Sequence, residues 1–171
     1  MQLTVLGATG PIGGLVLLQA LAAGHRVTAL VRDVCALGPG KDYRSTLATR
    51  TAGPALEAMA AAGVRRLVWL SALGSGGTVR RQSLFQAGAS RLVMGTLMAD
   101  KGVAGSDRDW TIALPVMFGN GRTVPGGYET IPPDGTRGRV GGRIGRADVA
   151  DFLLRAATGG QWIRRRVILT R

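Results

Sequence analysis

The first fourteen residues, MQLTVLGATGPIGG, limit the fold of this 171-residue chain more than any other stretch. The segment 2–6 is a short apolar run of residues favoured in β-strands, and it stops at Gly7. A helical pattern starts at Pro11, a residue favoured in the first turn of a helix because no N–H partner is needed there. The stretch therefore predicts a strand, a tight turn and a helix in direct succession.

The turn between them contains Gly7, Gly10 and Gly13, which occupy the three glycine positions of G-x-x-G-x-x-G. Glycines at these positions allow a sharp turn, let a ligand phosphate approach the backbone, and let the helix pack against the strand. The helix would also point its first N–H groups at an anion. Because 27 of the 171 residues are glycine, such a triplet can arise by chance. Its significance comes from the predicted strand before it and the predicted helix after it. The turn predicts a nucleotide-phosphate site, and the alternative is a tight turn without a ligand.

A second strand at 25–31 closes a βαβ unit, and Arg32 and Asp33 follow it. Dinucleotide-binding folds select their cofactor at this position, where an arginine pairs with the 2′-phosphate of NADP and an acid accepts the ribose hydroxyls of NAD. Because Arg32 comes first, the sequence favours NADP(H). Asp33 keeps NAD(H) open, and the remaining alternative is an exposed ion pair without a ligand.

The net charge of +12 suggests an acidic partner, but its make-up does not favour nucleic acid. Only Lys41 and Lys101 are lysines, and the arginines are scattered, with no basic stripe interleaved with aromatic residues. We therefore expect a solvated basic surface and no specific nucleic-acid partner.

No apolar run approaches the ~20 residues that span a bilayer, and no secretion signal is recognisable. The chain has a single cysteine, Cys35, and so can form no internal disulfide. These features predict a cytoplasmic protein with no membrane partner, and no cluster of metal ligands is present in the sequence.

The rest of the chain continues the alternation of strands and helices. Strands are predicted at 64–70, 110–114 and 166–170, and helices at 45–62, 82–101 and 146–157. We expect one α/β domain over 1–171, a Rossmann-like doubly wound fold with a mostly parallel sheet of about five strands. If the sheet has no gap, its order is strand two, one, three, four, five. The segment 119–145, rich in Gly, Pro and Arg, is expected to form an irregular lobe over the site.

The segment 34–38 resembles another buried strand, but it begins only two residues after the second strand ends. A parallel neighbour requires a crossover of a dozen or more residues, and none is present. We therefore expect 33–44 to form a loop along the ligand edge, or at most a very short extension.

Several stretches together resemble the atypical, extended-like, short-chain dehydrogenase/reductase superfamily. The opening TVLGATGPIGGLVLLQALAAGHRVTALVRD is followed, in the order of that family, by AGVRRLVWLSALG, ADKGVAGSDRDWTIALPVMFGNG and GRIGRADVADFLLRAA. Within the superfamily, the chain resembles the NAD(P)H-binding group of NmrA-like proteins and biliverdin reductase B-type flavin reductases. The resemblance implies an oxidoreductase that transfers hydride to a small-molecule acceptor such as a flavin or quinone. The alternative it implies is a non-catalytic NADP(H) sensor or scaffold.

The resemblance also implies roles for individual residues. The phosphate loop corresponds to Gly7, Ala8, Thr9, Gly10, Pro11, Ile12 and Gly13. Arg32 matches the arginine that binds the 2′-phosphate, and Leu37 and Gly38 match the turn beside the adenine ribose. Ser71 and Ala72 match the end of the strand that flanks the nicotinamide. The loop against the nicotinamide carboxamide corresponds to Pro115, Val116 and Met117. Ser71 is also the candidate catalytic residue, as a hydrogen-bond partner of a substrate carbonyl; the alternative is a cap at the strand end.

The sequence departs from the family in two places. The segment between VRD and the ALG-like turn, which in the family includes a third strand and an acidic residue near the adenine, is missing. The Tyr-x-x-x-Lys pair of the typical enzymes, in which the lysine lowers the pKa of the tyrosine for proton transfer, is also absent. Tyr43 is followed four residues later by Leu47, and Tyr128 by Pro132. The absence of the Tyr-x-x-x-Lys pair does not decide whether the chain is an enzyme.

Overall fold

A computed structural model describes residues 1–31, 47–73, 90–119, 127–133 and 142–171, without the side chains of 47–50 and 90–96. Arg32, Leu37 and Gly38 lie outside these described residues. The strands are β1 (Gln2–Leu6), β2 (Arg26–Leu30), β3 (Arg66–Leu70), β4 (Asp109–Pro115), β5 (Met117–Gly119), β6 (Glu129–Ile131), β7 (Arg143–Gly145) and β8 (Arg165–Thr170). The helices are α1 (Gly13–Ala22), α2 (Leu47–Ala61), α3 (Ser90–Ala104) and α4 (Arg146–Thr158).

The strands form mostly parallel sheets, which confirms the expected α/β Rossmann-like class. β1 pairs in parallel with β2, from Gln2↔Arg26 to Leu6↔Leu30. β3, β4 and β8 lie in that order in a second sheet and run parallel to one another. A short antiparallel strand, β6, extends this sheet beyond β8.

The expected strand order holds within the pair β1–β2 and within the group β3–β4–β8, but no ladder between described strands joins the two groups. Among the described residues, β1 and β2 form a sheet of their own, and β1 makes no ladder with β3. The order two, one, three, four, five was expected for a sheet without a gap, and the described strands leave a gap at the step from one to three. Pairing within a βαβ unit follows from its short connection, whereas the β1–β3 pairing depends on how distant parts of the chain pack. Helix α1 instead packs on α4, where the Gln19 amide donates to the Ala147 carbonyl at 3.1 Å.

The segment 119–145 contains regular structure that the sequence did not indicate. β6 lies against β8, with Thr130 opposite Leu169, and β7 pairs in parallel with β5. Regular structure in this segment is therefore present at least at 129–131 and 143–145. Strands of three residues are too short to give a recognisable alternation of apolar and polar residues.

The hydrophobic core lies around β4, β8 and α4. β4 is buried at six of its seven positions, as expected for a parallel strand covered on both faces. Phe152 of α4 is fully buried between the rings of Tyr128 and Trp162, at centroid distances of 6.1 and 4.9 Å. The buried cluster consists of Val103, Trp110, Ile112, Ala113, Leu114, Val116, Ile144, Val149, Phe152, Ala156, Val167, Ile168 and Leu169.

Within the part of the chain that the structure describes, no helix is long and apolar enough to cross a membrane.

Candidate functional site

The glycine turn after β1 closes too tightly for side chains at two of its positions. Gly7 has a φ of 76°, a conformation that non-glycine residues rarely adopt. The Gly10 N–H donates to the Gly7 carbonyl at 2.9 Å, which closes the turn. A Cβ added at Gly13 would lie 2.2 Å from the Gly7 carbonyl oxygen, closer than any real contact. Helix α1 therefore starts directly against the end of β1, as a phosphate-binding turn requires.

The first turn of α1 is suited to an anion. Ile12 occupies the N-cap position, no side chain caps the helix there, and its first turn contains no acidic residue. The first N–H groups of a helix carry a partial positive charge and lack intrahelical partners. Because neither a carboxylate nor a capping hydroxyl among the described residues fills this position, the turn leaves room for an anion.

The turn is attached to the core through its apolar residues. Ala8 is 3% exposed, and Ile12 packs against the buried cluster around β4. Pro11 is exposed and Thr9 is half-buried. The phosphate loop is thus anchored on one side and reachable on the other.

The ends of β3 and β4 bring a second group of predicted residues together. Leu70 lies opposite Ala113, and the Ser71 N–H donates to the Ala113 carbonyl at 2.9 Å. Ser71 and Ala72 therefore lie at the same sheet edge as Pro115 and Val116, which follow Ala113. Because the carboxyl ends of parallel strands form the ligand edge of α/β folds, this edge is the candidate cofactor site.

The residues that follow Pro115 differ sharply in exposure. Val116 is buried and donates its N–H to the Leu169 carbonyl at 3.0 Å, whereas Met117 is 76% exposed. Phe118 is half-exposed, and the Arg146 guanidinium lies 5.4 Å from the centre of its ring. Phe118 and Arg146 are two surface residues at this edge to which the sequence pattern assigned no role.

The hydroxyl of Ser71 is held by a carboxylate that the sequence analysis did not identify. Ser71 Oγ donates to Asp100 Oδ2 at 2.7 Å, and Trp69 Nε1 donates to Asp100 Oδ1 at 3.1 Å. Asp100, on α3, is fully buried and Ser71 is 8% exposed. A signal was present in the sequence, because Asp100 lies three residues after Leu97 and three before Val103, on an otherwise apolar helix face.

Tyr128 does not have the environment of a catalytic phenol. Its hydroxyl donates to Asp151 Oδ2 at 2.9 Å, and burial, together with this carboxylate, raises the pKa of Tyr128 well above its usual value. Proton relay by a tyrosine needs the opposite shift, which a neighbouring cation produces. Arg155 reaches the same Asp151 oxygen at 3.0 Å and pairs with the carboxylate.

A comparison with known families gives a match that covers well over half of the chain. The family model described as NAD(P)H-binding matches residues 34–159. The matched range contains Ser71, Asp100 and the loop after β4, whereas the glycine turn precedes it. The turn and the family match are therefore separate observations. None of the curated proteins compared matches the sequence.

Solved structures share the fold at low sequence identity. A protein of Bacillus halodurans described as an NAD-dependent epimerase/dehydratase is 17% identical, with a TM-score of 0.83, over 100% of this chain and 94% of that one. A protein of Streptococcus pneumoniae described as an NADH-flavin reductase is 20% identical, with a TM-score of 0.79, over 100% and 99%. An anaerobillin reductase of Escherichia coli O157:H7 is 20% identical, with a TM-score of 0.80, over 99% and 97%. At these identities the likeness establishes the fold.

Proposed function

Because the chain belongs to this family of NAD(P)H-binding proteins, we propose that it is a small oxidoreductase that reduces a flavin, a quinone or a similar acceptor. A bound nicotinamide supplies the hydride, and the protein supplies binding, orientation and electrostatics. The proposal extends the family assignment from binding to a reaction and an acceptor class.

The closure of the glycine turn is the observation that carries the proposal. Gly13 lies so close to Gly7 that only a glycine fits, and none of the described side chains caps the N-terminus of α1. In the proposed complex, the segment 7–13 holds the diphosphate through its backbone N–H groups.

The remaining site residues are assigned by position along the chain. Arg32 would pair with the 2′-phosphate, so that NADP(H) is preferred and NAD(H) binds more weakly, and Leu37 and Gly38 would lie beside the adenine ribose. Ser71 and Ala72, at the end of β3, would flank the nicotinamide, together with Pro115, Val116 and Met117 after β4. The segment 119–145 would cover the site. We further propose that the chain works as one domain, in the cytoplasm.

The acceptor class is supported by two proteins of the same fold. One is described as an NADH-flavin reductase and the other as an anaerobillin reductase. The acceptor here would be a small molecule that reaches the edge formed by β3 and β4.

The environment of Tyr128 favours a second candidate function, a non-catalytic NADP(H) sensor or scaffold of the NmrA-like type. A tyrosine whose pKa is raised by burial and by a neighbouring carboxylate is poorly suited to replace the missing Tyr-x-x-x-Lys pair. Binding without turnover would then be the function, with the NADP/NADPH ratio as the signal.

A titration followed by an acceptor assay separates the two candidates. The purified protein is titrated with NADPH, NADH and NADP⁺, and oxidation of NADPH is then followed with riboflavin or a benzoquinone. Binding with turnover supports the oxidoreductase, and binding without turnover on any acceptor supports the sensor. No binding of the three nucleotides at millimolar concentration rejects both.

Arg32→Ala tests the cofactor preference. We expect the ratio of NADPH to NADH affinity to fall by roughly tenfold or more, because a charge-assisted hydrogen bond to a phosphate contributes about 1.5–3 kcal/mol. Arg26→Ala, at the start of β2 and therefore at its opposite end, is the matched control for a loss of positive charge. An unchanged ratio in Arg32→Ala would show that another group reads the 2′-phosphate.

A further inference from the structure

The short strands β5 and β7 place two exposed side chains next to each other at the ligand edge. The strands run in parallel, with Met117 opposite Arg143. Residues opposite each other in a ladder point to the same face of it, because successive side chains alternate along both strands. Met117 is 76% exposed, and Arg143 is also exposed. An apolar side chain and a cation therefore lie side by side where the chain leaves β4.

Gly119 determines where the side chain of Arg143 lies. It shares a face of β5 with Met117, since it follows two residues later. A Cβ added at Gly119 would lie 2.9 Å from the Cβ of Arg143, and 3.5 and 3.7 Å from its Cδ and Cγ. The aliphatic part of Arg143 thus fills the space that a side chain at position 119 would occupy. We call Met117, Gly119 and Arg143 the β5–β7 surface.

The described part of the chain does not neutralise the charge on Arg143. The ion pairs of that part are formed by other arginines, and the guanidinium of Arg143 makes no hydrogen bond within it. Arg146, three residues further on, lies over the Phe118 ring and adds a second cation. The acid that follows, Asp148, is fully buried. The β5–β7 surface therefore combines positive charge with an exposed apolar side chain.

The two side chains match two parts of one ligand. The planar fork of an arginine binds a carboxylate or a phosphate through two parallel N–H groups. The thioether of a methionine makes favourable contacts with aromatic rings. Because the proposed function assigns Met117 to the loop beside the nicotinamide, a ring that lies on Met117 would be within reach of the hydride.

We propose that the β5–β7 surface selects an acceptor that carries a negatively charged group. The ring of the acceptor lies on Met117, and its carboxylate or phosphate pairs with Arg143. This inference rests on the proposed function, and it narrows the acceptor from flavins and quinones in general to those with an anionic substituent. Arg143 acts through binding, so its charge should change the Kd and the KM of the acceptor and not the rate of hydride transfer.

FMN and riboflavin test this inference, because they share one ring system and differ by a phosphate. The Kd of each is measured by quenching of flavin fluorescence, which needs no turnover, and the KM of each from the oxidation of NADPH. We expect FMN to bind at least roughly tenfold more tightly, the effect of about one hydrogen bond made by charged groups. The preference should fall as KCl is added, since salt screens an exposed pair of charges.

Substitutions establish whether the preference depends on Arg143. In Arg143→Met, which keeps most of the aliphatic stem, FMN should bind as weakly as riboflavin. Arg165→Met is the matched control: it removes an exposed arginine at the start of β8, at the opposite edge of the sheet, and should keep the preference. Gly119→Ala should reduce the preference, because the added Cβ displaces the stem of Arg143. Thermal melting identifies loss of folding, and if Arg143→Met does not fold, Gly119→Ala decides.

The outcomes separate this inference from the proposed function. Equal Kd values for FMN and riboflavin overturn the inference, and so does a preference for FMN that persists in Arg143→Met. Loss of NADPH affinity in Arg143→Met, in parallel with FMN, also overturns it, because the arginine would then bind the phosphates of the cofactor. A protein that binds NADPH and reduces only a neutral quinone overturns the inference and leaves the proposed function standing. Failure to bind any nicotinamide nucleotide overturns both.

Discussion

The two groups of parallel strands in this protein differ in how far they are covered. β4 is buried at six of seven positions and β8 at four of six, whereas neither β1 nor β2 contains a buried residue. In β1 and β2, half-buried and exposed residues alternate, and Leu6 and Leu30 are 46% and 60% exposed. Parallel strands are normally covered on both faces. The βαβ unit that carries the glycine turn is thus covered on one side only.

From this difference we expect cofactor binding and stability to depend largely on separate parts of the chain. The glycine turn is built by contacts within residues 1–31, and it reaches the core through Ile12 and through α1 on α4. The buried cluster around β4, β8 and α4 is made of residues between Val103 and Leu169, outside the turn itself. Substitutions in the two regions should therefore separate loss of folding from loss of cofactor.

The largest effect is expected from truncation in the covered region. Phe152→Ala should lower the free energy of unfolding by about 3–5 kcal/mol, because Phe152 is fully buried and contacts two aromatic rings. Leu30→Ala on β2 is the matched control in the exposed unit and should change stability by less than about 0.5 kcal/mol. Urea unfolding followed by tryptophan fluorescence measures both. Similar losses for the two variants would show that the βαβ unit is as well packed as the core.

Two neighbouring arginines allow a second test within the covered region. Arg66 donates to the carbonyls of Ala156, Asp109 and Gln161 and to the Thr111 hydroxyl, and so joins β3 to the end of α4. Arg66→Met should cost about 1.5–3 kcal/mol, the range for hydrogen bonds made by a charged group. Arg65 forms an exposed ion pair with Asp109 at 3.2 Å, and Arg65→Met should cost less than about 1 kcal/mol. Equal costs would mean that the network of Arg66 adds nothing beyond a surface charge.

The smallest effect on stability, but a decisive one on binding, is expected in the exposed unit. Gly13→Ala forces the Gly7 carbonyl to move, which lowers the free energy of unfolding by about 1–3 kcal/mol and mainly distorts the phosphate loop. NADPH affinity should therefore fall on the order of tenfold to a hundredfold, as measured by NADPH fluorescence. Gly102→Ala on α3 has open space around its Cβ and is the control; it should leave the affinity unchanged and stabilise by up to about 1 kcal/mol. NADPH binding to Gly13→Ala with full affinity would place the diphosphate elsewhere.

The local part of the site was predictable from the sequence. Gly7, Gly10 and Gly13 are close in the chain, and the turn that they form depends only on backbone sterics and on the helix that follows. The same holds for Gly24 and Gly63, which end their helices with φ values of 76° and 66°.

The predicted helix at 82–101 begins among residues outside the described part of the chain, and its described portion runs on to Ala104.

The assembly of the site was not predictable in the same way. Asp100 and Ser71 are 29 residues apart in the chain, and nothing in either local pattern indicates that they meet. The short strand β6 forms along the edge of the longer β8, and β7 pairs with the equally short β5, so no periodic pattern in the sequence records either strand.

The sequence by itself determined the α/β class, the parallel pairing of β1 with β2 and the glycine turn, because each follows from short-range sterics, hydrophobic periodicity and the handedness of the βαβ connection. Only the tertiary structure decided that β1 and β3 form no ladder within the described part of the chain, that Ser71 donates its hydrogen to Asp100, and that β1 and β2 keep one face exposed. These features depend on how elements distant in the chain pack together, and packing is set by side-chain contacts that no single stretch of sequence contains.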